Sequence, residues 1–247
     1  MSTSGDKPSI VFFGTGPVAA ASLDLLTNSF TIEAVITKPR PPHHKGSVPV
    51  LELATKLGTR TITANNAKEL SELIAQESFV SRVGVLIDFG IIVRQDVIDA
   101  FPLGIINSHF SLLPEWRGAD PITFSILSGQ KLTGVSLMKV VEKLDEGDIL
   151  AFGLVDLDGT ETNQSLTNGL INSVLRSCEI TSHTILKVPR SFLRKIAAVV
   201  PEVDYPHIAS YSHKISKIDG VLDLSKPAIQ LEREVRAYLA GLGAAQM

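Results

Sequence analysis

Cysteine is almost missing from this sequence: of 247 residues, only Cys178 carries a thiol. A lone cysteine excludes an intramolecular disulfide framework and a cysteine-based zinc cage, and it fits a reducing compartment. Long apolar runs are missing as well. The longest, Val83 to Ile87 and Ile196 to Val200, fall far short of the ~18 residues that a membrane-spanning helix needs. The opening Met1 to Ser9 lacks both the apolar stretch of a signal peptide and the arginines of a transit peptide. A cytoplasmic protein away from membranes is therefore expected, with the sequon-like Asn163-Gln164-Ser165 idle. Nor is there an excess of one charge: 23 Lys and Arg against 26 Asp and Glu leave a net charge of −3. Such a balance makes a poor candidate for binding nucleic acid over the whole surface, which needs clustered cations, and DNA is not an expected partner. Two local basic clusters stand out, Lys38, Arg40, His43, His44 and Lys45 in one stretch, and Lys187, Arg190, Arg194 and Lys195 in another. Taken alone, each reads as solvated surface.

What is present is a globular composition, 44% apolar and 20% charged. At about 100–200 residues per domain, the length suits one large domain or one domain with an appendage. Short apolar runs alternate with helical spacing. Ser9 to Phe13, Ile32 to Thr37, Thr59 to Thr63, Val83 to Ile87 and Gly104 to His109 read as buried strands. Val18 to Leu26, Val50 to Leu57, Ala67 to Ala75 and Gln95 to Ala100 read as the helices between them. That cadence predicts an α/β, Rossmann-like fold, a mostly parallel sheet with helices on both faces. Beyond His109 the spacing predicts a helix over Pro121 to Leu127. Two strands, Thr133 to Val141 and Asp148 to Leu157, come next, joined through a hairpin-type turn at Leu144 to Asp148. A long helix runs from Thr162 to about Lys187. Prolines 189, 201 and 206 then punctuate a stretch with one short basic helix. A last helix comes after Ser225-Lys226-Pro227, read as a cap and a helix-starting proline.

Several motifs have bland readings beside sharp ones. Gly14-Thr15-Gly16-Pro17-Val18-Ala19 comes after the first strand, as a dinucleotide fingerprint does, but the second strand ends in Thr37-Lys38-Pro39 without the acidic residue that holds a ribose. A tight strand-to-helix turn near some other ligand is the better reading. Asp88-Phe89-Gly90 matches a kinase triplet in letters only. His43-His44 has no third metal ligand at usable spacing. Most informative is the stretch from Gly104 to Pro121. Two-residue periodicity places Asn107 and His109 on one side of a strand end, where open α/β sheets collect their ligands. With Asp145 at the hairpin tip they make a workable acyl-transfer set: an oxyanion donor, a proton handler and a carboxylate that orients the imidazole. Singly, each has a structural explanation.

Together they resemble a family. Asn107-x-His109, then Ser111-Leu112-Leu113-Pro114, Arg117-Gly118 and Pro121, then Leu144-Asp145-x-Gly147-Asp148, are similar to the formyltransferases that use 10-formyltetrahydrofolate. The likeness runs from about Ile10 to about Tyr238 and includes the Phe13-Gly14-Thr15 turn. Its later part, Lys214-Ile215-Ser216-Lys217 with Asp223-Leu224-Ser225, most resembles the methionyl-tRNA formyltransferases.

The resemblance implies that Asn107, His109 and Asp145 are the catalytic trio. Asn107 and an imidazolium His109 would stabilise the negative oxygen of a tetrahedral intermediate, and Asp145 would keep His109 charged and oriented. It implies 10-formyltetrahydrofolate as co-substrate, lying against Ile87, Phe89, Gly90, Ile91, Ile92, Val140 and Leu144, with no metal. It implies initiator methionyl-tRNA as the acceptor, met by Gly14, Thr15, Arg40 and Lys45 and by the mouth residues Ser111, Leu112, Leu113, Pro114, Arg117 and Gly118. The enzyme would be a monomer. Two departures qualify the acceptor. The loop Lys38 to Ser47 is shorter than the Arg- and Gly-rich loop of family members acting on tRNA. Of their C-terminal β-barrel, this sequence carries the opening residues only. The expected organisation is a catalytic domain over 1–188 and a linker with a truncated C-terminal segment over 189–247. A sugar-nucleotide N-formyltransferase is the nearest rival and a non-catalytic folate-binding module the rival from another class. Glycinamide ribonucleotide formylation, formyl-folate hydrolysis and nicotinamide chemistry rank lower.

Overall fold

A computed structural model describes residues 7–43, 45–185 and 208–238. His44, the predicted basic helix, the cluster from Lys187 to Lys195 and the 188/189 boundary lie outside the described residues.

Strict alternation starts the fold. In β1 (Ser9–Phe13), Ile10 and Phe12 point into one hydrophobic core while Val11 and Phe13 point into a second on the opposite face. All four are fully buried. A strand buried on both faces belongs in the middle of a parallel sheet, and that is its place. Around it run β2 (Thr31–Thr37), β3 (Thr61–Thr63), β4 (Gly84–Leu86), β5 (Ile105–His109), β7 (Leu132–Lys139) and β8 (Ile149–Asp156), in the order β3-β2-β1-β4-β5-β7-β8. The first five strands are parallel and the last two antiparallel. The strand order reverses at β1, so a crevice opens beyond the carboxyl ends of β1 and β4.

The helices are α1 (Pro17–Leu26), α2 (Pro49–Lys56), α3 (Ala67–Ile74), α4 (Gln95–Asp99), α5 (Pro121–Ser128), α6 (Asn163–Ile185) and α7 (Ala228–Tyr238). Proline in the first turn starts α1, α2 and α5, where its missing N–H costs nothing. Asn66 caps α3 by accepting from the N–H groups of Lys68 and Glu69. One core holds Leu23 and Leu26 of α1 with Leu166, Leu170 and Val174 of α6. The other holds Leu70 and Ile74 of α3 with Phe101, whose ring meets Phe13 edge-on at 5.8 Å. Truncating either β1 phenylalanine would cost about 3–5 kcal/mol.

Two expectations need correction. The last helix begins after Pro227, and Ser225 does not cap it; its hydroxyl donates to Asp223 Oδ1 at 2.7 Å. The connection between β7 and β8 is the whole loop 140–148 rather than a turn confined to Leu144–Asp148. A small parallel pairing also went unforeseen. β6 (Arg117–Gly118) joins β9 (Tyr211–Ser212), tying the loop after His109 to the C-terminal segment. That segment packs back on the body: Ala237 is buried in the first core, and Arg233 donates to the Ser128 carbonyl at the end of α5.

Candidate active site

β5 presents the first two groups. Its register against β7 sets Asn107 opposite Met138 and His109 opposite Ser136. Ser108 turns the other way and is buried. Buried Ser136 anchors the start of the loop after β5, donating to the Ser111 carbonyl at 2.7 Å and accepting from Leu113 N–H at 2.9 Å. The chain then turns through a cis Leu113-Pro114 bond and through Trp116 in the left-handed region (φ 53°).

That turn aims the Trp116 carbonyl at His109. Nε2 lies 2.8 Å from it, and a carbonyl only accepts, so Nε2 carries a proton. Nδ1 then faces Asp145 Oδ2 at 3.7 Å. Asp145 sits in the left-handed region (φ 52°) on the loop 140–148, and its Oδ2 accepts from Gly118 N–H at 2.8 Å. Histidine and carboxylate are both buried, 6% exposed at the side chain. Burial lowers the His109 pKa below the ordinary histidine value, against the opposing pull of the Asp145 charge and the Trp116 carbonyl. That direction favours the neutral ring over the imidazolium. Asn107 is half-buried, and its amide bonds to no other described side chain. Asn107 and His109 thus share one side of β5, and a buried carboxylate lies 3.7 Å from the His109 ring.

The surrounding residues divide sharply. Ile87 and Ile91 are buried, one in each core, so they can meet a ligand only through their main chains. Phe89 packs edge-on against Phe13, Gly90 is exposed, Val140 is half-buried, and Ile92 and Leu144 are 79% and 73% exposed. Gly90 N–H donates to Thr15 Oγ1 at 3.3 Å, so this loop is tied to the turn after β1 and leaves the Ile92 and Leu144 side chains in the open. Ser111, Leu112 and Leu113 are buried, forming the support beneath the mouth rather than its lining. Arg117 reaches Glu146 at 3.4 Å, with its Nε buried and unpartnered. Arg40 is committed to its own loop, bonding the Gly46 carbonyl and Glu52. Lys45 is exposed.

The sequence offered Asp88 only as part of a kinase-like triplet and Lys38 only as part of a basic cluster. A Cβ on Gly14 would lie 2.6 Å from both Ala19 Cβ and the Phe12 ring, so that glycine serves close packing. Thr15 pins the loop after β4, donating from Oγ1 to the Asp88 carbonyl at 2.8 Å. A Cβ on Gly16 would overlap the Asp88 carboxylate, which accepts from Ala19 N–H in the first turn of α1. The helix terminus that takes a pyrophosphate in dinucleotide-binding folds is thus filled by the protein's own anion. Lys38 reaches over the facing loop, its Nζ 3.1 Å from where a Gly90 Cβ would stand. Position was the available signal: Asp88 lies just past β4 at the switch point, and Lys38 just past the neighbouring β2.

Asp88 keeps open surface, yet its carboxyl group is crowded against Gly16. That desolvation pushes its pKa up to about 6, with Asp120 adding to the rise and Ala19 N–H opposing it. A raised carboxyl pKa means that the folded state holds the proton more tightly. The resulting penalty accrues between about pH 4 and pH 6 and stays constant above. Asp88→Asn is therefore expected to raise Tm at about pH 7.5 and leave it unchanged at about pH 4. A variant whose Tm matches the parent at both pH values would show that no such penalty exists.

Comparison with known proteins identifies the family of the chain. A family model described as Formyl transferase matches residues 8–173. The methionyl-tRNA formyltransferase of Bifidobacterium adolescentis is 34% identical over 246 residues, covering 95% of this chain and 72% of that protein. That of Buchnera aphidicola subsp. Schizaphis graminum is 36% identical over 240 residues, covering 94% and 73%. Among solved structures, the N-formyltransferase of Helicobacter canadensis, in complex with folinic acid and dTDP-3-aminofucose, superposes with a TM-score of 0.60. At 18% identity, covering 96% of this chain and 82% of that one, it shows the fold. The chain belongs to the formyl transferase family, a one-carbon transferase that stands with the methionyl-tRNA formyltransferases.

Proposed function

We propose that this protein transfers the formyl group of 10-formyltetrahydrofolate to the α-amine of initiator methionyl-tRNA. The observation that carries the reading is the buried His109–Asp145 pair, with Asn107 on the same side of β5 as His109. The acceptor is inferred from the relatives, which are named for it.

When bound, the folate supplies an electrophilic formyl carbon. Asn107 donates its amide N–H to the formyl oxygen as charge gathers there. His109, neutral at rest, takes the proton released by the attacking amine at Nδ1 and returns it to the departing folate nitrogen. Asp145 lies where it offsets the imidazolium formed in between, and the Trp116 carbonyl keeps the ring from rotating. Because the working base is the neutral ring, kcat should rise with pH through a midpoint below the ordinary histidine value. The crevice between Phe89, Ile92 and Leu144 is the proposed folate cleft, and Lys38 and Lys45 are the proposed phosphate contacts.

The direct test offers the purified protein 10-formyltetrahydrofolate with either methionyl-tRNA or amino-sugar nucleotides and reads formylated product by mass. Formylation of the sugar nucleotides alone would overturn the tRNA assignment and keep the chemistry. Lys38 and Lys45 allow a finer check. Their double replacement by alanine should raise KM for tRNA and lower the slope of log KM against log salt by about 2, one per lost phosphate contact. Arg40→Ala should do much less, since Glu52 already holds that guanidinium. An unchanged salt slope in the double variant would move the acceptor surface elsewhere.

A further inference from the structure

The C-terminal segment 208–219 reaches the catalytic groups without touching them. Ser210 grips the loop after His109 at three points: its N–H donates to the Pro114 carbonyl at 3.2 Å, its hydroxyl accepts from Trp116 N–H at 2.9 Å, and its carbonyl accepts from Arg117 N–H at 2.9 Å. Ser212 comes next in β9, opposite Gly118. Its hydroxyl lies 3.1 Å from the Trp116 carbonyl and 3.2 Å from the Arg117 carbonyl, so one proton bridges two consecutive acceptors. Beyond it, Ile215 N–H donates to Asp120 at 2.8 Å.

The loop held this way carries both supports of the catalytic pair. The Trp116 carbonyl bonds His109 Nε2, and the Gly118 N–H bonds Asp145 Oδ2. Trp116 holds a left-handed backbone that a bulky residue rarely adopts. Left to itself, the loop would relax from it and carry the carbonyl away from the ring. Gly118 is fitted just as closely, since with φ at 104° a Cβ there would meet the Ser212 carbonyl at 2.6 Å.

We infer that Ser212 is a positioning residue for the formyl-transfer site, its hydroxyl fixing the Trp116 carbonyl that holds the His109 ring. The inference rests on the proposed role of His109 and Asp145. It makes the C-terminal segment part of the catalytic apparatus rather than a tether. A 1 Å drift in a catalytic group can cost about 10²-fold in rate. Losing one of several bonds to this loop is a milder disturbance.

The test compares Ser212→Ala and Ser212→Thr with the parent enzyme, using 10-formyltetrahydrofolate and methionyl-tRNA. Ser212→Ala should lower kcat by about 5–10-fold, leave KM for the folate within about twofold, and keep a cooperative melt. Ser212→Thr, which retains the hydroxyl, should recover most of the lost kcat. Parental kcat in Ser212→Ala would overturn the proposal, as would a loss that threonine does not restore or a parallel loss of kcat and folate affinity. His109→Gln in the same assay separates the two readings. If it is inactive while Ser212→Ala is normal, only the positioning role falls; if it is active, the assignment of His109 falls first.

Discussion

His109→Gln is expected to fold and to lose at least ~10²-fold of kcat, about 2.7 kcal/mol of transition-state stabilisation. Glutamine is the informative replacement because the parent ring is buried and bonded to the Trp116 carbonyl. A glutamine amide can donate to that carbonyl and fill much of the space, but it cannot take up a proton at neutral pH. His109→Ala should lose at least as much activity and also some stability, since truncating a buried ring leaves a cavity. Near-parental turnover in His109→Gln would show that no proton passes through this residue.

Asp145→Asn separates two roles of one carboxylate. The structural role is the left-handed turn and the bond from Gly118 N–H. Asparagine tolerates the same backbone and offers an amide oxygen to the same donor, so Tm should hardly move. The electrostatic role is different. The Asp145 charge is one of the two influences that raise the His109 pKa against burial. With the charge gone, the pKa should fall further, and the buried imidazolium formed during turnover loses its only described charged partner. We expect a stable enzyme that binds 10-formyltetrahydrofolate, turns over at least ~10²-fold more slowly, and has its acid limb displaced to lower pH. Melting temperature and kcat measured on one preparation decide the matter. Full activity, or inactivity traced to unfolding, would leave Asp145 as a turn residue.

Stability against acid should carry the same signature. A histidine whose folded pKa is depressed binds protons more tightly once unfolded. Its contribution to stability is complete at pH values above the unfolded pKa of about 6.5 and is lost as pH falls below it. His109→Gln should therefore show a shallower decline in Tm from about pH 7 to pH 5 than the parent.

The short-range features of this protein were legible in its sequence because short-range physics produces them. Alternating Ile10, Val11, Phe12 and Phe13 require a strand buried on both faces, and the structure divides them between two cores. The helices read from Val18, Val50 and Pro121 formed, each with a proline in its first turn, where that residue's fixed backbone angle fits. The spacing of Asn107 and His109 set both on one side of β5, at the end where a parallel sheet gathers ligands. What the sequence could not decide was how each group is held. Nothing local links Ser212 to Trp116 or Asp88 to Ala19. Those bonds join residues far apart in the chain, brought together by the strand order and by β9 returning to β6. The charge of His109 was decided in the same way. Sequence neighbours indicate an ionisable ring, but its protonation depends on the water excluded around it and on an Asp145 that the loop 140–148 carries to within 3.7 Å. Arg40 looked free for an acceptor until α2 placed Glu52 beside it. Local pattern determined the elements and the chemical types at their ends. Tertiary structure alone decided desolvation, pairing and protonation, because each depends on groups contributed from distant parts of the chain.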